Sequence, residues 1–102
     1  MYKNNIEKQT AKNKAYRKIL KTTKQMQLVL MYIPTGKDIP KETHKNVSQF
    51  IRIESGRGVA YIGNVRYNLK DGDALIIPPN TPHYIKSTDN LKLYTIYAPP
   101  EH

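Results

Sequence analysis

The chain has 102 residues, of which 38% are hydrophobic and 25% charged, a balance typical of one soluble globular domain. It contains no cysteine, which excludes disulfides and thiolate metal sites, and no apolar run long enough to cross a membrane. The first residues lack the apolar core of a secretion signal, so we expect a cytoplasmic protein.

The formal net charge of +9 is concentrated at the N-terminus. Residues 1–24 contain seven lysines and Arg17 against Glu7 alone, so they carry +7 and the rest of the chain carries +2. This flank is either a solubilising leader or an arm that contacts nucleic acid or another polyanion. We predict a polar basic leader over residues 1–14, frayed or weakly helical, and a folded domain over residues 15–102.

From residue 15 onward, short apolar runs alternate with turn residues about every 8–12 positions, as in all-β domains. The predicted strands are residues 16–20, 25–33, 50–54, 59–62, 65–69, 74–77, 83–86 and 91–97. Gly63-Asn64 is a predicted hairpin turn, and the proline-rich segment 78–82 is a predicted rigid loop. Because no run has the pattern of an amphipathic helix, the sequence predicts a small antiparallel β-sandwich or β-barrel.

Potential metal ligands occur at strand-like spacings in the second half of this pattern. Glu42 and His44 are two residues apart, so on a strand their side chains share one face. Gln49 has the parity of Ile51, which suits an interior, and His83 begins a later strand. Two imidazoles, one carboxylate and one amide oxygen suit Fe(II), Mn or Ni better than structural zinc. The sequence therefore predicts a divalent metal site inside the barrel.

Each of these residues also has an ordinary alternative role. His44 has the context of a solvated loop histidine beside Lys45, and Glu42 that of a partner in an exposed ion pair. Gln49 has the alternative role of a hydrogen-bonded interior amide. The presence of His83 after the rigid proline loop is what favours the metal-site interpretation, because the loop would fix where the ring points.

No catalytic residue can be assigned from the sequence. Alternation in the last strand turns Leu93, Thr95 and Tyr97 inward, so Tyr97 is a weak candidate to line a pocket with its hydroxyl group. Nothing in the sequence selects it over Tyr84 as a proton donor or acceptor.

The candidate ligands lie in a pattern that resembles the first motif of the cupin superfamily. That motif reads Gly, five residues, His-x-His, three or four residues, Glu, six residues, Gly. The corresponding positions here are Gly36, Glu42, His44, Gln49 and Gly56. Glu42 replaces a histidine and Gln49 replaces a glutamate, so the set keeps one negative charge at a different position.

The second cupin motif is also present in part. It reads Gly, five residues, Pro-x-Gly, two residues, His, three residues, Asn, and the matching positions are Gly72, Pro78 and His83. Asn80 replaces the glycine, which asparagine can do because it tolerates positive φ, and Ser87 replaces the final Asn. The chain is similar to small single-domain cupins, which share the Ala-Pro-Pro-Glu-His pattern of residues 98–102.

The resemblance implies a jelly-roll barrel with a divalent metal and a small oxygen-rich ligand. It favours a metal-dependent enzyme of the oxygenase or the isomerase and epimerase kind. The alternative is a non-catalytic binding or accessory module whose basic segment, residues 1–24, contacts a partner. The resemblance also implies a homodimer, for which the apolar run 27–33 and the outward Phe50 would supply the surface.

Overall fold

The structure is a computed structural model that describes residues 1–100; Glu101 and His102, which complete the C-terminal pattern noted above, lie outside the described residues. Its elements are α1 (Ile6–Lys12), β1 (Lys18–Thr22), β2 (Gln27–Ile33), β3 (Asp38–Glu42), β4 (Ser48–Ile62), β5 (Val65–Leu69), β6 (Ala74–Ile77) and β7 (His83–Ala98). All strand pairings in the described part are antiparallel, as predicted.

Two long strands organise the barrel. The main sheet has the order β1-β2-β7-β4-β5, while β3 pairs with β7 and β6 pairs with β4. Strand β7 pairs with β3 near its start and with β2 near its end, and β4 pairs first with β6 and then with β5. Each long strand therefore belongs to two layers, which closes the sheet into the jelly roll expected from the sequence.

The sequence prediction divided β4 and β7 into two strands each, and both divisions are wrong. In β4 the register shifts several times between Ile53 and Gly58, so bulges bend the strand without ending it. Gly56 has a φ of +93°, and a Cβ there would collide with the carbonyl oxygens of Asp89 and Asn90. Gly56 and Gly58 lie between two predicted strands, where glycines are typical of a turn. In the structure they instead allow β4 and β7 to approach each other closely.

Apolar side chains at alternate positions of β2, β4 and β7 fill the interior. The predicted inward orientation of Leu93, Thr95 and Tyr97 is confirmed, since the three residues are 0%, 0% and 5% exposed. The hairpin at Gly63-Asn64 is also confirmed by the pairing of Ile62 with Val65. Among the described residues, no helix has the length and apolar character needed to cross a bilayer.

Helix α1 lies within the segment that we expected to be a leader. The Asn5 side chain caps it by accepting from the Lys8 amide at 2.9 Å, and Glu7 and Lys12 suit the two ends of its dipole. Thr10 is fully buried, and the Lys92 ammonium donates to the Ala11 carbonyl. Residues 1–14, expected to be frayed or weakly helical, thus contain a helix of seven residues, and the domain boundary near residue 14 stays a prediction.

Candidate metal centre

Three predicted ligands converge at one end of the barrel. Glu42 ends β3, His44 lies two residues later in the loop before β4, and His83 begins β7. The pairing of β3 with β7 sets Glu42 directly opposite His83. One ligand atom from each of these residues lies within 4.8 Å of the other two, so the group could hold a metal ion. The sequence argument placed Glu42 and His44 on one face of a strand. Strand β3 ends at Glu42, so His44 lies outside it, but the two side chains still meet.

His83 presents a nitrogen lone pair to this space. Its Nδ1 lies 2.9 Å from the Thr81 carbonyl oxygen, which can only accept, so Nδ1 carries the proton and donates. Nε2 is then unprotonated in the neutral ring. The residue is 3% exposed, and Nε2 has no hydrogen-bond partner within residues 1–100. A neutral imidazole oriented by a backbone carbonyl is the form that binds metals in proteins.

The loops that carry the two histidines are tied together. The Asn80 amide donates to the His44 carbonyl at 2.9 Å, and the Asn80 side-chain oxygen accepts from the Asn46 amide at 3.2 Å. Asn80 has a φ of +64°, which confirms that asparagine takes the conformation that the motif assigns to glycine. The proline loop before His83 is thus fixed against the turn that follows His44.

Glu42 and His44 form the charged edge of the site. Glu42 Oε2 lies 2.9 Å from His44 Nε2, and the His44 and His83 ring centroids are 5.1 Å apart. The His44 side chain is 9% exposed and that of Glu42 is 39% exposed. The carboxylate therefore faces the buried imidazole and is also open to solvent. A surface ion pair between Glu42 and a neighbouring lysine, the alternative from sequence, is not what the described residues show.

Gln49 and Tyr97 lie deeper and beside each other. They are paired across β4 and β7, and they are 4% and 5% exposed. Gln49 Nε2 donates to Thr95 Oγ1 at 3.0 Å, whereas Oε1 is buried with no partner in the described part of the chain. The Tyr97 ring meets the His44 ring edge-on at 5.4 Å between centroids. Gln49 as a ligand and Tyr97 as a proton donor or acceptor stay predictions.

A cavity of about 330 Å³ opens from this cluster to solvent. Its lining residues are Arg17, Glu42, Thr43, His44 and Tyr97. Sequence analysis missed Arg17 and Thr43, because Arg17 belongs to the basic flank and nothing in its surroundings links it to the motif. Its neighbour Tyr16 donates to the Asp38 carbonyl at 3.1 Å. Partial burial raises the pKa of Tyr16 above its ordinary value, and the negative charges of Glu42 and Asp38 raise it further.

Family and protein comparisons agree with this architecture. The model of the family described as "Cupin domain" matches residues 29–97. The uncharacterized protein YrkC of Bacillus subtilis (strain 168) is 43% identical over 106 residues, covering 96% of this chain and 57% of that protein. The uncharacterized protein L612 of Acanthamoeba polyphaga mimivirus is 40% identical over 108 residues, covering 100% of this chain and 68% of that protein. The chain thus spans little more than half the length of the Bacillus relative.

Solved structures show the same fold. The crystal structure of BH2720 from Bacillus halodurans superposes with a TM-score of 0.96 at 39% identity, covering 99% of this chain and 83% of that chain. An RmlC-like cupin from Shewanella frigidimarina superposes with a TM-score of 0.80 at 20% identity, covering 84% of this chain and 77% of that chain. Because the identity to the Shewanella protein is only 20%, that comparison supports the fold and nothing about function.

Proposed function

The chain belongs to the cupin domain family, and from this membership and the geometry of the site we propose that it binds a divalent first-row metal ion inside its barrel. Glu42, His44 and His83 would hold the ion, with the amide oxygen of Gln49 as a weaker fourth ligand. The ion and the adjoining cavity would then bind a small oxygen-rich molecule.

One observation carries the proposal: the buried Nε2 of His83 has no hydrogen-bond partner among the described residues. A buried polar atom without a hydrogen bond destabilises the folded state by about 1–3 kcal/mol, so we expect another interaction to offset this cost. In the neutral ring the proton is on Nδ1, so Nε2 carries a lone pair and can only accept. This Nε2 lies close to the ligand atoms of Glu42 and His44. A cation that accepts this lone pair would offset the cost, and the Glu42 carboxylate supplies opposite charge beside it.

The donor set favours Fe(II), Mn or Ni. Two imidazoles and one carboxylate leave open coordination positions on such ions, and the chain has no thiolate that would select structural zinc. Gln49 adds no charge to the ligand set. Its Nε2 donates to Thr95, so the amide oxygen is the atom that would bind the ion. A bound ion would polarise an oxygen of the small molecule or activate dioxygen. The chemistry proposed is of the oxygenase or the isomerase and epimerase kind.

The test is the metal content of protein purified anaerobically without chelator, measured by plasma mass spectrometry. We expect near-stoichiometric Fe, Mn or Ni in the wild type and its loss in His83→Ala and in His44→Ala. Glu42→Gln should weaken uptake, whereas the matched control Glu54→Gln should not, because Glu54 lies near Arg52 with 3.7 Å between Arg52 Nε and its carboxylate. Thermal melts would establish that every variant is folded.

Wild-type protein that folds but takes up none of these ions on titration would overturn the proposal. So would histidine variants that keep their metal, because the ligands would then lie elsewhere. Turnover of a candidate substrate that disappears with His83→Ala would extend metal binding to catalysis.

A second candidate is a non-catalytic module whose basic N-terminus contacts a partner. It is supported by the exposed lysines of residues 1–24, including Lys3, Lys8, Lys12 and Lys14. Helix α1 presents part of this charge from a packed position. Replacing Lys3, Lys8 and Lys12 by Gln should abolish binding to a polyanion such as heparin if this function holds. Unchanged binding would refute it, and unchanged metal content would show that the barrel was intact.

A further inference from the structure

We propose that the molecule bound beside the metal is a small carboxylate and that Arg17 binds its carboxylate group. This inference rests on the proposed metal site and names the class of ligand for it. Arg17 is the single cationic side chain among the described residues that line the cavity with Glu42 and His44. A ligand in this cavity would therefore lie beside Arg17.

The backbone around Arg17 is anchored on both sides, so its position is built into the fold. The Asn13 side chain accepts from the Ala15 amide at 3.1 Å and donates to the Ala15 carbonyl at 2.8 Å. That carbonyl also accepts from the Tyr32 amide of β2 at 3.2 Å. The Tyr16 hydroxyl donates to Asp38 of β3, and β1 begins directly after Arg17. The basic flank of residues 1–24 thus contributes part of the cavity wall through Arg17.

The charges of the cavity favour an anion. Glu42 is the single acidic residue among the described lining residues, and Gln49 supplies a neutral amide where the cupin motif has a carboxylate. A divalent ion at Glu42 would leave an excess positive charge, and Arg17 would add another. A carboxylate that reaches both would reduce this excess of two positive charges to one, whereas a neutral molecule would leave it unchanged.

Arg17 has no ion-pair partner within 4.0 Å among the described residues, so none of them competes with a ligand for its guanidinium. Arg52, by contrast, lies near Glu54 in β4. The planar guanidinium suits bidentate recognition of a carboxylate, and these charge-assisted bonds are about twice as strong as neutral ones. Thr43, on the same cavity wall, offers a hydroxyl group to further oxygens of the ligand.

The experiment uses the full chain loaded with Zn(II), a redox-inert probe ion, after its zinc content has been measured. Glycolate and succinate are titrated by calorimetry beside their neutral amides, glycolamide and succinamide. The variant is Arg17→Ala, and the matched control is Lys18→Ala. The control removes the same charge one residue away, from an exposed position that is not among the cavity-lining residues.

We expect at least one carboxylate to bind more tightly than its amide, and Arg17→Ala to weaken that binding about tenfold or more. Lys18→Ala should change it less than about twofold, as an exposed charge screened by solvent does. Arg17→Lys should restore part of the affinity, because it returns the charge without the planar fork.

Equal binding of acid and amide, or carboxylate binding that survives Arg17→Ala, would overturn the inference. Zinc uptake without any carboxylate binding would overturn it as well, while leaving the metal site standing. Where zinc is not taken up, the same titrations use protein loaded with Mn(II); failure to take up either ion would remove the proposed function and this inference together, and the metal measurement identifies that case.

Discussion

The two faces of the sheet at the metal end of the barrel differ in an unusual way. Pairings across β2, β7, β4 and β6 place an inner row of side chains, which consists of Gln27, Tyr97, Gln49 and Ile77. The outer row takes the next residue of β2 and β4 and the preceding residue of β6 and β7, and it consists of Leu28, Phe50, Ile76 and Ile96. The inner row is buried and mainly polar, whereas the outer row is apolar and half-buried or exposed.

This departure from the usual pattern indicates that the polar groups of the inner row and the apolar groups of the outer row serve something other than the monomer's own stability. The inner row keeps buried amide oxygens of Gln27 and Gln49 without partners in the described chain, which a well-packed apolar core would avoid. The outer row leaves Ile76 73% exposed. Polar groups inside the barrel suit a ligand-binding site, and apolar groups outside it suit a contact with another protein chain.

The largest expected effect is a difference in unfolding free energy between substitutions of two adjacent isoleucines of β6. Ile77 is 2% exposed in the inner row and Ile76 is 73% exposed in the outer row. Ile77→Ala should lower the free energy of unfolding by about 2–5 kcal/mol, because it leaves a cavity in the core. Ile76→Ala should lower it by about 0.5 kcal/mol or less at concentrations where the protein is monomeric. Urea denaturation measures both, and similar losses would mean that the two faces do not differ.

A metal ion bound at the inner face should stabilise the folded protein against unfolding. At a free metal concentration of about 100 times Kd, the free energy of unfolding should rise by about 2.7 kcal/mol, through binding to the folded state alone. Calorimetric melts with and without Mn(II) would measure the shift. The same addition should leave His83→Ala unchanged and should stabilise Ile76→Ala as it does the wild type. A shift retained by His83→Ala would place the ion elsewhere.

Alternation in the sequence was sufficient to place Tyr97, Thr95 and Leu93 inside, because a strand with one covered face has a fixed period of two. The resemblance to the two cupin motifs implied the jelly roll and the meeting of Glu42 and His83 at one site. Other features depend on contacts between distant segments, which local patterns do not contain.

Arg17 is the clearest example of such a feature. It reaches the cavity because β1 pairs with β2 and the preceding turn is anchored on Tyr32. The continuity of β4 through Gly56 depends in the same way on the close approach of Asn90. Helix α1 is too short for a helical period to stand out from its polar surroundings.

The outer row leads to a prediction about assembly, which stays a proposal. We expect a homodimer that buries this row, so light scattering should give about twice the chain mass of 11.8 kDa. Ile76→Lys should weaken the dimer by about 2 kcal/mol or more, because it places a charge in an apolar contact. The control Tyr67→Lys changes an exposed aromatic residue on β5, outside the row, and should leave the mass unchanged. A wild type that stays near 11.8 kDa at high concentration would refute the dimer.

The smallest expected effect compares the two glutamines of the inner row. Gln49→Glu would return a carboxylate to the position where the cupin motif has one, beside the proposed ion. A Thr95 hydroxyl that now accepts from Gln49 can rotate to donate to the new carboxylate. Metal affinity should rise about tenfold, equivalent to about 1.4 kcal/mol, as measured by competition with a chelator.

Gln27→Glu is the matched control, since Gln27 is equally buried and pairs with the other side of Tyr97. Its amide donates to Thr22 of β1, away from the ligand loops, so its carboxylate should not strengthen metal binding. Both substitutions bury a charge and should destabilise the metal-free protein. Only Gln49→Glu should recover that stability when metal is added. Equal behaviour of the two variants would mean that Gln49 is an interior amide and that the ion is held by Glu42 and the two histidines alone.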